Sequence, residues 1–281
     1  QAFSSGNLTI AAGSGLTSHE VLPFGSTGLI SDILANEDVF VVVKNNNGSS
    51  LANGTVIVFN KNSNPSGNGI YQNSPTSMRI NVISDLHLEF ADLELPGGDV
   101  LVLSGDICEA KRIKSRQYLA EHTEPHHSPR YIRFFEEECT KYRQVVYVMG
   151  NHEHYGFQYQ KTYNHIREHL PSNVRLLEKE MIDIDGVAFL GATLWTDMNN
   201  MDALTMYHMT SSMNDYRQIT MFNEAKNLYH RLTPQRTVED HVRTVQYFKT
   251  VLDNRRAQGN RGPVVVCTHH APSKMSIKIG R

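Results

Sequence analysis

The sequence predicts an α/β layered domain preceded by a small all-β module. Three observations carry that reading. From Met78 onward, short apolar runs alternate with amphipathic stretches of helical length. Four of those runs stop at a carboxylate, an amide or an imidazole. Residues 1–77 share neither the charge density nor the helical periodicity of residues 78–281.

Composition sets the outer limits. The chain has 281 residues, 40% hydrophobic and 20% charged, with 27 basic and 29 acidic side chains and a net charge of −2. That is the balance of a globular protein with a real core, and it disfavours nucleic-acid binding driven by bulk charge. No apolar stretch approaches the roughly 20 residues that a membrane helix needs. No basic segment followed by an apolar core opens the chain, so neither a membrane span nor a signal peptide is expected. The three cysteines, Cys108, Cys139 and Cys267, are too scattered for a disulfide framework or a zinc cluster and fit buried thiols in a reducing compartment.

The boundary near Met78 is a change of grammar. Lys44 and Lys61 are the only basic residues before it, against Glu20, Asp32, Glu37 and Asp38. Residues 78–281 therefore hold 25 basic (27 less 2) and 25 acidic (29 less 4) side chains. Within 1–77, "DVFVVV" (Asp38–Val43) and "TVIVFN" (Thr55–Asn60) are β-branched runs. Asn and Gly between them supply positive-φ turn positions. The stretch "VVVKNNNGSSLANGTVIVFN" resembles a β-module of bacteriophage tail and fibre proteins. That resemblance implies virion partners through residues 1–77 and a place in virion assembly.

In the second part, "RINVIS", "DVLVLSGD" (Asp99–Asp106), "QVVYVMGNHE" (Gln144–Glu153) and "GPVVVCTHH" (Gly262–His270) read as buried strands. "DGVAFLGATLWTD" adds a fifth. Pro129–Tyr142 and Thr237–Arg256 carry apolar residues at helical spacing, and Glu239 and Asp240 suit a helix start. The four strand ends present Asp85-x-His87, Asp106, Asn151-His152 and His269-His270. Singly, each reads as a turn residue, a cap or a loop histidine. Together, beyond the carboxyl ends of parallel strands, they put oxygen and imidazole donors where α/β sheets bind ligands. Hard oxygens with borderline nitrogens suit two divalent cations, Mn²⁺ foremost and Fe or Zn²⁺ next.

"SDLHLEF", "SGDICEA", "GNHEHY" and "VVVCTHHAPS" resemble the successive motifs of the calcineurin-like metallophosphoesterases. "FLGATLWTD" and "MNDYRQI" (Met213–Ile219) resemble a bacterial and phage branch of that superfamily. The resemblance runs from Met78 to nearly the last residue. It implies a layered β-sandwich flanked by helices that hydrolyses a phosphomonoester or phosphodiester with water activated between two metals. Carried over by position, Asp85 and His87 would bind one metal, Asp106 would bridge both, and Asn151 would bind the second. A histidine of the final pair joins Asn151, with His269 preferred and His270 the fallback. His152 matches the substrate-facing histidine that contacts the phosphoryl group or protonates the leaving oxygen.

One departure stands out. The family's later Gly-His-x-His motif does not occur before Arg281, so the domain is expected to be truncated at its C-terminus. The competing reading is a virion structural or assembly protein with an incomplete, inactive phosphoesterase-like domain. The expected setting is cytoplasmic or virion, with nucleic acid only as a substrate and an oligomer allowed. Among other candidates, His154 reads as a surface residue, Asp197 and Asp215 as caps, and "EHTEPHHSP" (Glu121–Pro129) as a solvated connector. "KRIKSR" (Lys111–Arg116) reads as a solvated helix face, Cys108 as a structural thiol, and Trp195 with the neighbouring methionines as packing beside the cleft.

Overall fold

The computed structural model describes residues 78–122, 127–260 and 262–272, together with the backbone of three strands in the first part. Those strands are β1 (Asn7–Ile10), β2 (Val39–Val43) and β3 (Thr55–Phe59). β2 and β3 fall on the two β-branched runs and pair antiparallel. The virion-module reading of residues 1–77 otherwise lies outside the described residues. So do residues 123–126 of the His-rich connector and the tail beyond residue 272.

Two five-stranded sheets form the centre. One has the order β1-β4-β5-β6-β7, with β4 (Met78–Ile83), β5 (Gly98–Ser104), β6 (Tyr142–Val148) and β7 (Val174–Leu176). β4 to β7 run parallel, while β1 pairs antiparallel with β4. The other has the order β3-β2-β12-β9-β8, with β8 (Glu180–Ile184), β9 (Val187–Ala192) and β12 (Val264–Thr268). A separate hairpin joins β10 (Thr220–Asn223) to β11 (Leu228–Arg231).

Period-2 geometry explains why these strands are apolar on both faces. In β5, Val100 and Val102 face the second sheet together with Val146 and Val148 of β6, and Phe189, Val265 and Cys267 of that sheet meet them. Leu101 and Leu103 point the other way, onto Ile107, Phe134, Phe135 and Ile166. On the far side, Ala188, Leu190, Val264 and Val266 pack against Val245, Phe248 and Leu252. Each fully buried Val or Leu contributes about 1.5–3 kcal/mol, so the interlocked apolar clusters dominate the folding free energy. The result is an α/β layered domain, as the strand–helix alternation predicted, in the form of the helix-flanked β-sandwich that the family resemblance implied.

The longer helices among the described residues are α1 (Arg116–Glu121), α2 (His127–Arg133), α3 (Tyr159–Arg167), α4 (Ala203–Ser212) and α5 (Pro234–Ala257), with single helical turns at Met198–Met201 and Asp215–Gln218. The expected helix over Pro129–Tyr142 is α2 continued by a π-type turn (Phe134–Glu138) and a 3₁₀ turn (Cys139–Lys141). α5 begins three residues earlier than the sequence reading placed it. Thr233 caps it by accepting the Arg236 N–H (3.3 Å), and Pro234 occupies the first turn, where its missing N–H costs nothing. Lys111–Arg116 is not one helix face. Ala110–Arg112 forms a 3₁₀ turn in which Lys111 and Arg112 both pair with Glu109, and α1 starts only at Arg116.

Candidate metal centre

The loops after β4 and β5 are stitched together where the strands stop. Asp85 N–H donates to the Gly105 carbonyl (2.9 Å), His87 N–H to Asp106 (3.0 Å) and Leu88 N–H to Ile107 (3.0 Å). Asp85, His87 and Asp106 all have positive φ (55°, 44° and 55°). Side chains seldom adopt that region, and a run of such residues at one place marks a loop held by its surroundings. Gly105, at φ 82°, is needed for two reasons. A Cβ there would strike the His269 ring and lie 2.7 Å from the Gly150 nitrogen.

Glu153 ties the third loop in. One of its carboxylate oxygens accepts the N–H groups of Asp106 (3.0 Å) and Gly150 (2.7 Å). The other accepts Ile107 N–H (2.7 Å) and Tyr147 O–H (2.7 Å). The residue is fully buried, and burial pushes its carboxyl up, with the charge of Asp106 adding to the effect.

These loops gather the predicted residues. One ligand atom each from Asp85, His87 and Asp106 lies within 4.8 Å of the others. His87 Nε2 is 3.8 Å from Asp106 Oδ2, and His269 Nε2 is 3.4 Å from Asp106 Oδ1 and 3.1 Å from Asn151 Oδ1. His152 donates its backbone N–H to Asp106 Oδ1 (2.9 Å) and lays its ring edge-on to His87, 4.5 Å between centroids. His270 packs edge-on to His269, 5.0 Å between centroids, with its Nδ1 3.3 Å from the Thr193 carbonyl and its ring 5.1 Å from that of Trp195.

Two further residues belong to the site, Glu89 and Asp215. Glu89 lies between His152 Nε2 (2.7 Å) and His87 Nδ1 (3.2 Å). Burial works to raise its carboxyl, but the contacts with the two imidazoles outweigh that and hold it well below the usual range. The Glu89 contact raises His87 and, against burial, raises His152. The signal was the alternation Asp85-x-His87-x-Glu89. Asp215, expected to cap a helix, instead accepts Asn151 Nδ2–H (2.8 Å) and Tyr155 O–H (2.7 Å). Asp197 does cap, taking the Asn199 N–H at 3.0 Å.

His154 is not a surface residue. It is 3% exposed, stacked on Tyr159 and 2.8 Å from Thr162 Oγ1, and burial holds its pKa down to about 3. A histidine whose folded-state pKa is depressed adds stability that is complete above the unfolded value near 6.5 and is lost as pH falls toward 3. Urea unfolding at pH 7 and pH 5 is therefore expected to show a larger drop for the wild type than for His154→Phe, by about 2 kcal/mol. Equal drops would count against a neutral buried imidazole. Cys108 is likewise a structural thiol, buried and pushed well up by burial. Trp195 packs with Met198, Tyr216 and Ile219 as expected, with Met206 and Met209 against them.

The donor set suits a cation. His269 Nδ1 lies 2.8 Å from the Ser104 carbonyl, which can only accept, so that nitrogen carries the proton. The ring's Nε2 faces Asn151 Oδ1 and Asp106 Oδ1, and an imidazole anchored through its other nitrogen is the usual form of a metal ligand. By contrast, a groove of about 870 Å³ at the edges of β7 and β8 contains none of these residues; its Arg143 is paired with Asp185.

A two-sheet α/β sandwich with carboxylates, an amide and imidazoles gathered at its strand ends defines a class of protein suited to divalent cations. The profile of the calcineurin-like phosphoesterases matches residues 78–281, and the chain belongs to that family. The family's chemistry is metal-dependent hydrolysis of phosphoesters. Over 148 residues the chain is 26% identical to the uncharacterized protein L509 of Acanthamoeba polyphaga mimivirus, a match spanning 50% of this chain and 49% of that protein. Among the described residues, no helix is long and apolar enough to cross a membrane.

Proposed function

We propose that this chain hydrolyses a phosphomonoester or phosphodiester with two divalent cations, Mn²⁺ being the best suited. Asp85 and His87 would hold one cation, Asn151 and His269 the other, and Asp106 would serve both, with His270 the fallback for His269. The observation that carries the reading is the convergence of His269 Nε2, Asn151 Oδ1 and Asp106 Oδ1, with the ring anchored through Nδ1 at the Ser104 carbonyl. When bound, the cations supply Lewis-acid polarisation of the phosphoryl group and an acidified water. The protein's own residues do the rest. His152 faces the same space and delivers a proton to the leaving oxygen, while Glu89, 2.7 Å from its Nε2, orients the ring and favours its protonated form.

Purified full-length chain is expected to hydrolyse bis(p-nitrophenyl) phosphate with added Mn²⁺. It should fall to background after chelation and recover when Mn²⁺ is restored. Turnover that survives exhaustive chelation, or none with any of Mn²⁺, Fe²⁺ and Zn²⁺, would remove the proposal.

A further inference from the structure

The segment Met213–Ile219 takes no part in the chemistry above, yet it delivers a buried carboxylate to the site. We infer that Asp215, together with Tyr155, is a positioning residue that holds the Asn151 amide with its oxygen turned toward Asp106 and His269. The inference deepens the proposed function and rests on it.

An amide side chain can lie in two orientations of nearly equal shape, and only one presents oxygen to the site. The choice is made here by Asp215, which is 3% exposed. Its Oδ1 accepts Asn151 Nδ2–H at 2.8 Å and Tyr155 O–H at 2.7 Å, and an ionised carboxylate can only accept. The Tyr155 oxygen lies 3.3 Å from Asn151 Nδ2, which closes a ring of three side chains. Turned over, the amide would set its oxygen against the carboxylate. Its NH₂ would then face Asp106 and His269, where it has no lone pair to offer a cation.

The sequence around Asp215 explains how it stays there. Tyr216 and Ile219 are 5% and 0% exposed and pack beside Trp195. Ile219 N–H donates to the Asp215 carbonyl (3.0 Å), and Tyr216 Oη lies 3.2 Å from Thr237 Oγ1 on α5. The turn is thus fixed to the body of the domain, and Asp215 is fixed with it.

Two variants of the full chain separate the roles. Asp215→Asn keeps an accepting oxygen, whereas Asp215→Leu fills the space without one. Two readouts are needed: the Asn151 side-chain NH₂ resonances in metal-free protein, and Mn²⁺ binding by titration. Wild type and Asp215→Asn are expected to show Asn151 protons shielded from solvent exchange and two bound ions. In Asp215→Leu the shielding is lost and one of the two ions binds about 10- to 100-fold more weakly. Both ions bound by Asp215→Leu as in the wild type, or equal damage from Asp215→Asn, would overturn the inference. If the wild type itself binds no divalent cation, the proposed function fails, and the amide resonances alone decide: unchanged shielding in Asp215→Leu overturns the positioning role. Should Asp215→Leu not fold, Tyr155→Phe takes its place. It is expected to weaken the same ion while Asp215→Asn does not, and the reverse order overturns the inference.

Discussion

Asp106→Asn is expected to lower kcat/KM for a metal-dependent phosphodiester assay by roughly 10³-fold while leaving the fold intact. The magnitude is what the loss of a preorganised charge at the reacting centre commonly costs. Asp106 is the residue most enclosed by others of the site. Oδ1 accepts His152 N–H and faces His269, while Oδ2 faces His87. An asparagine oxygen can still accept from His152, so the loop keeps one of its ties. The amide nitrogen then points toward His87, and one oxygen with no charge remains to serve two cations. Turnover and Mn²⁺ stoichiometry should therefore fall together, with the urea midpoint little changed. A variant that keeps both ions and most of its turnover would show that Asp106 is not shared.

The strands were legible because they are buried on both faces, whereas their arrangement as a sandwich followed from the family resemblance. "DVLVLS" and "VVYV" have no polar side to misplace, and their lengths separate them from helices. Helix boundaries were less so. Thr233-Pro234 is a better start signal than Glu239 and Asp240, which lie on the second turn of α5. In the site, Asp85, His87, Asp106, Asn151 and His269 stood out because each lies within four residues of a strand end, and the family resemblance supplied their expected roles. Asp215 and Glu89 were not. Asp215 reaches Asn151 across 64 residues of chain, a distance that no periodicity encodes. Glu89 drew no role from the sequence, and it is the turn at His87 that folds it back between two imidazoles. His154 misled for the opposite reason: an imidazole beside a site reads as exposed, and only packing shows it enclosed by Tyr159 and Thr162.

Glu153→Ala should be among the most destabilising single changes in the domain, by about 3–5 kcal/mol. Three backbone N–H groups, from Asp106, Ile107 and Gly150, lose their acceptor, and each orphaned buried donor costs about 1–3 kcal/mol. Removing a buried carboxylate also relieves its desolvation, which opposes the loss and keeps the sum below the simple total. Glu153→Gln sharpens the test. With its nitrogen placed toward Tyr147, whose hydroxyl can rotate to accept, glutamine's oxygen still serves Asp106 and Gly150, and only Ile107 N–H is left facing a donor. Its cost should be about 1–3 kcal/mol, smaller than that of alanine. Because Glu153 joins the loops that carry Asp106 and Asn151, catalysis should weaken in the same order, Gln before Ala. Urea titrations of the three proteins decide it. A Glu153→Ala midpoint close to wild type would mean that water enters and satisfies those N–H groups, and that the loops are held by the strand-end ladder from Asp85 to Leu88 instead.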